Sequence, residues 1–399
     1  RTTSTASWYC WGSRMKGSET TSSNERQPAE ENHPFDAAYY RGMVVEHLLI
    51  VALLAIFYLS GASRRLSDGA MYLLRGRWWL AHAVYLAVSF LGLAVLLFPF
   101  HAARARRLTD ALRAQGFASV SQWVLHARAV GSQGVLAFAF FYALYVLLRW
   151  FPIQWWMLVA TAYAAVAVWM PMGMRHYILP RIYRLEALPE ALLESRLMNL
   201  AQAVGVSIKR VGMWAADDDM EAEWPPVMIG AGRIMGLHPS VVENMEPEAV
   251  LALAARELGA VRQRHGPIRA GAAAACALAA FGAVHLGAQY LVRLGIPAPA
   301  SGVRDIASFP LLALLVLIAS AMAQTVYRAI LRAQVYAADA FAERLVGSDG
   351  LVDALRELYP EPTPLPQWVE WLFLSQPSVR RRLQRLQTAC RFPPDDGAQ

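Results

Sequence analysis

The chain has 399 residues, 56% of them hydrophobic, and a formal net charge of +7. Its positive mean hydropathy is too apolar for an ordinary soluble protein. The basic excess comes without any RNA- or DNA-binding motif, so nucleic acid is not expected as a partner. The three cysteines, Cys10, Cys276 and Cys390, form no CxxC pair, which argues against a thiolate metal site and against a disulfide framework.

Residues 1–42 form a polar tail. No acidic residue precedes Glu19, while Arg1, Arg14 and Lys16 sit among Ser and Thr. Lacking a long apolar core, this is not a secretory signal peptide. It reads either as the mature end or remnant of an organellar presequence, or as an arbitrary start upstream of Met15. A stretch such as GSETTSSNERQPAEENHP should be disordered alone, and a partner would be needed to hold it.

Six apolar runs long enough to cross a bilayer follow, at about 43–61, 78–100, 134–151, 154–173, 269–292 and 308–330. One such run fits a buried core helix; six predict a polytopic, mainly α membrane protein. Four spans and an amphipathic loop at 101–133 fill residues 43–173, and two more fill 269–330. Between them lies a polar, membrane-bordering domain at 174–268. Residues 331–399 return to that domain through a helical part, the stiff Pro-rich stretch 360–366 and a basic tail. Parity groups the N-terminus, the 101–133 loop, the polar domain and the C-terminal tail on one side. Arg104, Arg106, Arg107, Arg113, Arg128, Arg380, Arg381, Arg382 and Arg385 make that side cytoplasm-like, against a weaker signal from Arg64, Arg65, Arg75 and Arg77.

Trp78, Trp79, Trp150, Trp155 and Trp156 look like interfacial anchors. The fifth span, AGAAAACALAAFGAVHLGAQ, is packed with small residues that suit close contact with a partner subunit or with its own neighbouring spans. His47, His82 and His285 fall within spans, where an ionisable group is a functional hypothesis by default. Separated and without carboxylate companions, they read more simply as hydrogen-bonded core groups. No Gly-x-Ser-x-Gly elbow is present, so nucleophilic catalysis is not indicated.

In the polar domain, LEALPEALLESRLMNLAQAVGV (185–206) has helical spacing, with Leu188, Leu192, Leu197, Leu200 and Val204 on one face and Gly205 at its end. SIKRVGMWAA predicts a strand. VMIGAGRIMGLHPSVVENM predicts a strand, a glycine-containing turn and a short helix, and EPEAVLALAARELGAVRQRH a strong helix opened by Pro247. An α+β domain with a small sheet is expected.

That order of elements, followed by two spans and then QVYAADAFAERLVG, resembles the integral-membrane zinc metalloproteases that include the CAAX prenyl protease and the HtpX-type protease. HYILPRIYRLEALPEALLESRLMNLAQAVG is similar to the segment joining spans to catalytic domain in the prenyl-protease branch. FLSQPSVRRRLQRL (373–386) is similar to its C-terminal His-Pro-x-x-x-Arg stretch, with Gln376 in place of histidine. Seven spans are usual in that branch, one more than is counted here.

The resemblance implies an HExxH-type helix: two histidines four apart on one face as zinc ligands, a glutamate that polarises the attacking water, and a third ligand from a later helix. Carried onto this chain, the ligand positions are Arg256, Ala260 and Val335, and only the general-base position, Glu257, keeps its residue. His265, Arg332, Asp339 and Phe341 also match the family pattern, around the ligands and not among them. A permanent guanidinium charge, a methyl group and an isopropyl group offer zinc nothing. Zinc is therefore expected to be absent, with no other cofactor, and Glu257 would have no metal-bound water to activate. Near the family's substrate strand, Glu221-Ala222 stands at the approximate place of an Asn-Ala pair, and Pro225-Pro226 oppose strand pairing. Arg256 is expected to take the metal's electrostatic place by pairing with Asp339 or Glu257.

The function these residues imply is that of a catalytically inactive family member, an accessory subunit or assembly factor of a larger membrane complex, in contact with membrane lipids and other subunits. One alternative is an active hydrolase with displaced ligands such as His265 or His238. Another is a lipid or isoprenoid binder. The Arg/Ser/Thr-rich start tips the compartment toward a mitochondrial inner membrane over a bacterial one.

Overall fold

The computed structural model describes residues 37–114, 122–173, 184–215, 226–230, 233–294, 302–359 and 365–391. The polar tail up to residue 36, the Glu221-Ala222 pair, Pro225 and most of the Pro-rich stretch lie outside the described residues. The chain divides into two compact units, and the boundaries within the described residues fall inside long helices.

The membrane unit comprises the described part of Arg26–Tyr163 together with Ala274–Gln324. It holds α1 (Ala37–Leu59), α2 (Ala62–Leu73), α3 (Trp78–Ala114), α4 (Gln122–Trp150) and the start of α5 (Trp155–Gly173). The later parts of α9 (His265–Arg293) and the first half of α10 (Phe309–Val346) complete it. Among the described residues, five helical stretches are long and apolar enough to span: Ala37–Leu59, Trp78–Arg107, Val130–Trp150, His265–Arg293 and Ile306–Val346. They bear large apolar side chains on their outside, including Leu91, Val95, Leu136, Leu286 and Met322, which is the inverse of a water-soluble surface. The chain is an integral membrane protein.

Among the described residues, then, five helices qualify where the sequence predicts about six spans. The predicted run 154–173 does form α5, but its described apolar stretch, Trp155–Met170, is shorter than the other five. At about 1.5 Å per residue it reaches roughly 24 Å, against a hydrocarbon core of about 30 Å. Two further corrections concern the connections. The expected loop at 101–133 is helical at both ends, because α3 continues to Ala114 and α4 begins at Gln122. A short amphipathic helix, α2, follows Gly61, whose φ of 71° gives the left-handed turn between α1 and α2.

Aromatic packing dominates the centre of this unit. Tyr85, Leu86, Leu144, Tyr145, Trp155, Phe309 and Leu312 are buried together, and Phe141 meets Phe309 edge-on at 5.0 Å and 88°. The small residues of α9 serve the chain's own neighbours: a methyl group at Gly282 would lie 3.5 Å from Trp156, and one at Gly287 3.5 Å from Leu315.

The second unit comprises Ala164–Ala273 and Thr325–Gln399. Its sheet is β1 (Arg184–Glu186), β2 (Arg210–Ala215), β3 (Val227–Gly230) and β4 (Ile234–Leu237), in the order β1-β2-β4-β3. β2 runs parallel to β4, and the other two pairs are antiparallel. The helices are α6 (Ala191–Val204), α7 (Pro239–Asn244), α8 (Pro247–Arg262), α11 (Asp349–Leu358), α12 (Gln367–Phe373) and α13 (Val379–Arg391). The helix predicted from 185 starts at Ala191, because Leu185 and Glu186 pair with Trp214 and Met213 as an edge strand. The run VMIGAGRIMGL, predicted as one strand and a turn, is a hairpin of two strands.

Two glycines set the sheet's packing. A Cβ at Gly236 would lie 1.8 Å from the Trp214 ring, so only glycine leaves room for the indole. One at Gly212 would lie 2.3 Å from the Glu186 carbonyl. α8 is the central helix of the unit. It opens on Pro247, which needs no N–H partner at a first turn, with Glu248 beside it and Arg262 in the last turn. Ala249 to Ala255, Leu258 and Gly259 are all buried, so small side chains let neighbours approach from every direction.

Candidate functional site

Two helices carry the candidate residues, α8 with Arg256, Glu257 and Ala260, and α10 with Arg332, Val335 and Asp339. Their approach is fixed by Gly259, where an added Cβ would come within 2.5 Å of the Phe341 ring. That close crossing brings Arg256 level with Asp339. The Arg256 Nε donates to Asp339 Oδ1 at 3.1 Å, and its Nη1 donates to Glu257 Oε1 at 3.2 Å. The pairing expected from the sequence is thus made to both carboxylates. Burial by itself would lower the pKa of Arg256, but Glu257 and Asp339 outweigh it and raise the value above normal, so the group is always cationic.

A fourth residue closes the cluster. Arg382, on α13, donates from Nε to Asp339 Oδ2 at 2.7 Å and from Nη2 to Oδ1 at 2.8 Å, a two-pronged grip on a carboxylate only 5% exposed. Two guanidiniums and two carboxylates balance in charge and pin α8, α10 and α13 together. The sequence offered Arg382 only as one of a basic run. The signal that marks it is burial, since its side chain is 4% exposed while Arg381 beside it is 34% exposed.

The remaining predicted positions fall as follows. Val335 is buried and apolar, and Ala260 is half-buried. Arg332 does not join the cluster. Its Nη1 donates to the carbonyls of Glu370 at 3.0 Å, Trp371 at 3.3 Å and Leu374 at 2.7 Å, which satisfies the C-terminal end of α12. Arg328 donates to the Leu372 carbonyl at the same end. Glu370, buried, pairs with Arg381 at 3.3 Å. Gln376 lies in the bend between α12 and α13. His265 is buried with its Nε2 against Gln263 Oε1 at 2.9 Å, and Gln334 Nε2 donates to its carbonyl at 3.4 Å. His238 caps α7: its Nδ1 accepts from the Ser240 N–H at 3.2 Å and lies 2.7 Å from the Ser240 hydroxyl.

The histidines of the membrane unit are likewise engaged separately. His47 Nδ1 lies 2.7 Å from the Met43 carbonyl, His82 packs edge-on against Trp78 and Tyr145, and His285 stacks on Trp156. Glu46, beside His47, is buried against Arg104 at 2.6 Å and His101 at 3.6 Å. Among the described residues no three His, Cys, Asp or Glu side chains converge as a metal site.

An integral-membrane chain with a helix pair of this kind and a small mixed sheet defines a membrane metalloprotease-like fold. The family model of peptidase family M48 matches residues 187–390, and the chain belongs to that family. The crystal structure of S. mikatae Ste24p superimposes with a TM-score of 0.59 at 16% identity, covering 91% of this chain and 92% of that one, a likeness of fold. No curated protein matches the chain.

Membership implies zinc, and the donor chemistry at the three positions does not fit it. Where relatives of this type need two imidazoles and a carboxylate, this chain places a guanidinium already bound to both local acids, a methyl group and an isopropyl group. Glu257, at the general-base position that the resemblance implies, has its carboxylate paired with Arg256.

Proposed function

We propose that this member of family M48 has given up zinc peptidase chemistry and serves as a structural accessory subunit or assembly factor of a larger membrane complex. The observation that carries the reading is the Arg256 guanidinium seated between Asp339 and Glu257. A fixed cation there does for the packing of α8 and α10 what a metal ion would do, and does none of its chemistry: it cannot lower the pKa of a bound water or polarise a carbonyl as a Lewis acid. On this reading Arg256, Ala260 and Val335 are degenerate ligand positions, and Glu257, His265, Arg332 and Asp339 are inherited supports. The two displaced-ligand candidates, His238 and His265, are each committed to a local hydrogen bond, which favours the inactive reading over an active hydrolase. A mitochondrial inner membrane is the proposed home.

The test has two parts. Metal analysis of the full chain purified in mild detergent should find no stoichiometric zinc, whereas the combined variant Arg256→His, Ala260→His, Val335→Glu should bind about one equivalent. Stoichiometric zinc in the unaltered chain would overturn the inactive reading. Co-purification should return a defined membrane partner; a chain that migrates alone from its native membrane sinks the subunit reading.

A further inference from the structure

The membrane unit contains a cavity of about 240 Å³ whose walls are the ends of its helices. The end of α4 contributes Leu148, the start of α5 Trp155, the last turns of α9 His285 and Gln289, and the 3-10 turn Gly302–Arg304 Val303 and Arg304. The lining is mostly apolar, and Arg304, Gln289 and His285 add a cation, an amide and an imidazole to it. Two of those polar groups are held in place. The His285 ring stacks on Trp156 at 26° and meets Trp155 edge-on, both at 5.9 Å, and Gln289 Nε2 lies 3.0 Å from His285 Nε2. Arg304 is exposed and makes no ion pair among the described residues. Asp305, its neighbour, is turned away to cap the next 3-10 turn, its Oδ1 accepting from the Ala307 N–H at 3.0 Å.

We infer that this cavity binds the phosphate of a phospholipid headgroup. The chemistry is that of an anion met by one unneutralised guanidinium and a side-chain amide. The placement selects a lipid as its source. The cavity opens where spans begin and end, the level at which a bilayer carries its phosphates, and Trp150 and Ile153 stand exposed beside it at 70% and 67%. Leu148 and Val303 give the lining apolar surface for the glycerol and upper acyl chain. This goes beyond the accessory-subunit reading and does not depend on it.

Lipid retention by the full chain tests the inference. The protein is loaded with phosphatidylglycerol, or with a diacylglycerol of the same chains that lacks phosphate, and bound lipid is counted by native mass spectrometry. Phosphatidylglycerol should be retained and diacylglycerol not. Arg304→Gln should lower retention about fivefold, Arg304→Lys should keep most of it, and Gln289→Glu should abolish it through like-charge repulsion. Both positions are exposed, and the Gln289→Glu variant gives an independent reading should Arg304→Gln disturb folding. Inorganic phosphate at equal concentration should leave the lipid in place. Equal retention of the two lipids, unchanged retention in both variants, or displacement by inorganic phosphate would each overturn the assignment, the last by making free phosphate the ligand.

Discussion

Replacing Asp339 by Asn keeps the side chain's shape and removes its charge, which makes it the sharpest probe of the cluster on α8, α10 and α13. In the folded chain Asp339 takes two bonds from Arg382 at 2.7 and 2.8 Å and one from Arg256 at 3.1 Å. Without its charge, Arg382, 4% exposed, is left with no carboxylate among the described residues, and Arg256 keeps only Glu257. Stripping the partner from a buried ion pair costs about 3–5 kcal/mol. Arg256→Met should cost less, about 1–2 kcal/mol, because Arg382 keeps its two-pronged grip and the stranded Glu257 is 32% exposed, where water can solvate it. For a cooperative unit of this size each kcal/mol lowers the thermal midpoint by about 2–4 °C. Tryptophan-fluorescence melting in one detergent should thus give a drop of about 6–20 °C for Asp339→Asn and of about 2–8 °C for Arg256→Met. A larger drop for Arg256→Met than for Asp339→Asn would refute the view that Asp339 is the hub.

Other outcomes follow from the packing and the charges. Gly236→Ala forces a methyl group to within 1.8 Å of Trp214, an indole too buried to retreat, and should lose about 3 kcal/mol of stability or fail to fold, read as a lowered melting midpoint. Arg332→Ala uncaps three carbonyls at the C-terminal end of α12 and just beyond it, and amide hydrogen exchange across 367–374 should speed up about tenfold or more while α8 is unaffected. Glu248 accepts from Arg196 Nη2 at 2.9 Å, a hydrogen bond that holds its carboxyl below the ordinary 4.5. A depressed carboxyl contributes stability above its unfolded value, and that contribution disappears as the pH falls through the folded value. The stability gap between the unaltered chain and Glu248→Gln should therefore be open at neutral pH and close in acid, and a gap independent of pH would refute the pairing.

Much of this architecture is legible in the residues because bilayer spans announce themselves by length and hydropathy alone. Five predicted runs reappear as long apolar helices, and α8 could be read from Pro247, its acid and its unbroken small apolar face. What escaped was whatever depends on a distant partner. β1 is three residues long and sits inside a pattern with helical spacing; only its pairing with β2 makes it a strand. β4 escaped for the same reason: only its pairing with β2 and β3 marks it as a second strand. In the candidate site, motif spacing supplied Arg256, Glu257 and Asp339, but not Arg382. Four arginines in a basic tail are equivalent on paper, and only the rotation of α13 against α10 chooses the one that goes inside. Arg332 shows the opposite case, a residue matched to the family pattern whose contacts belong to the end of another helix.

The junction built on Asp339 has a consequence for how the chain matures. A metal-held junction of helices waits on a transporter or chaperone for its ion, competes with every chelator in its compartment, and exists in filled and empty forms. Here the binding cations are Arg256 and Arg382 themselves. They are delivered by translation, in fixed stoichiometry, and no change in metal supply can remove them.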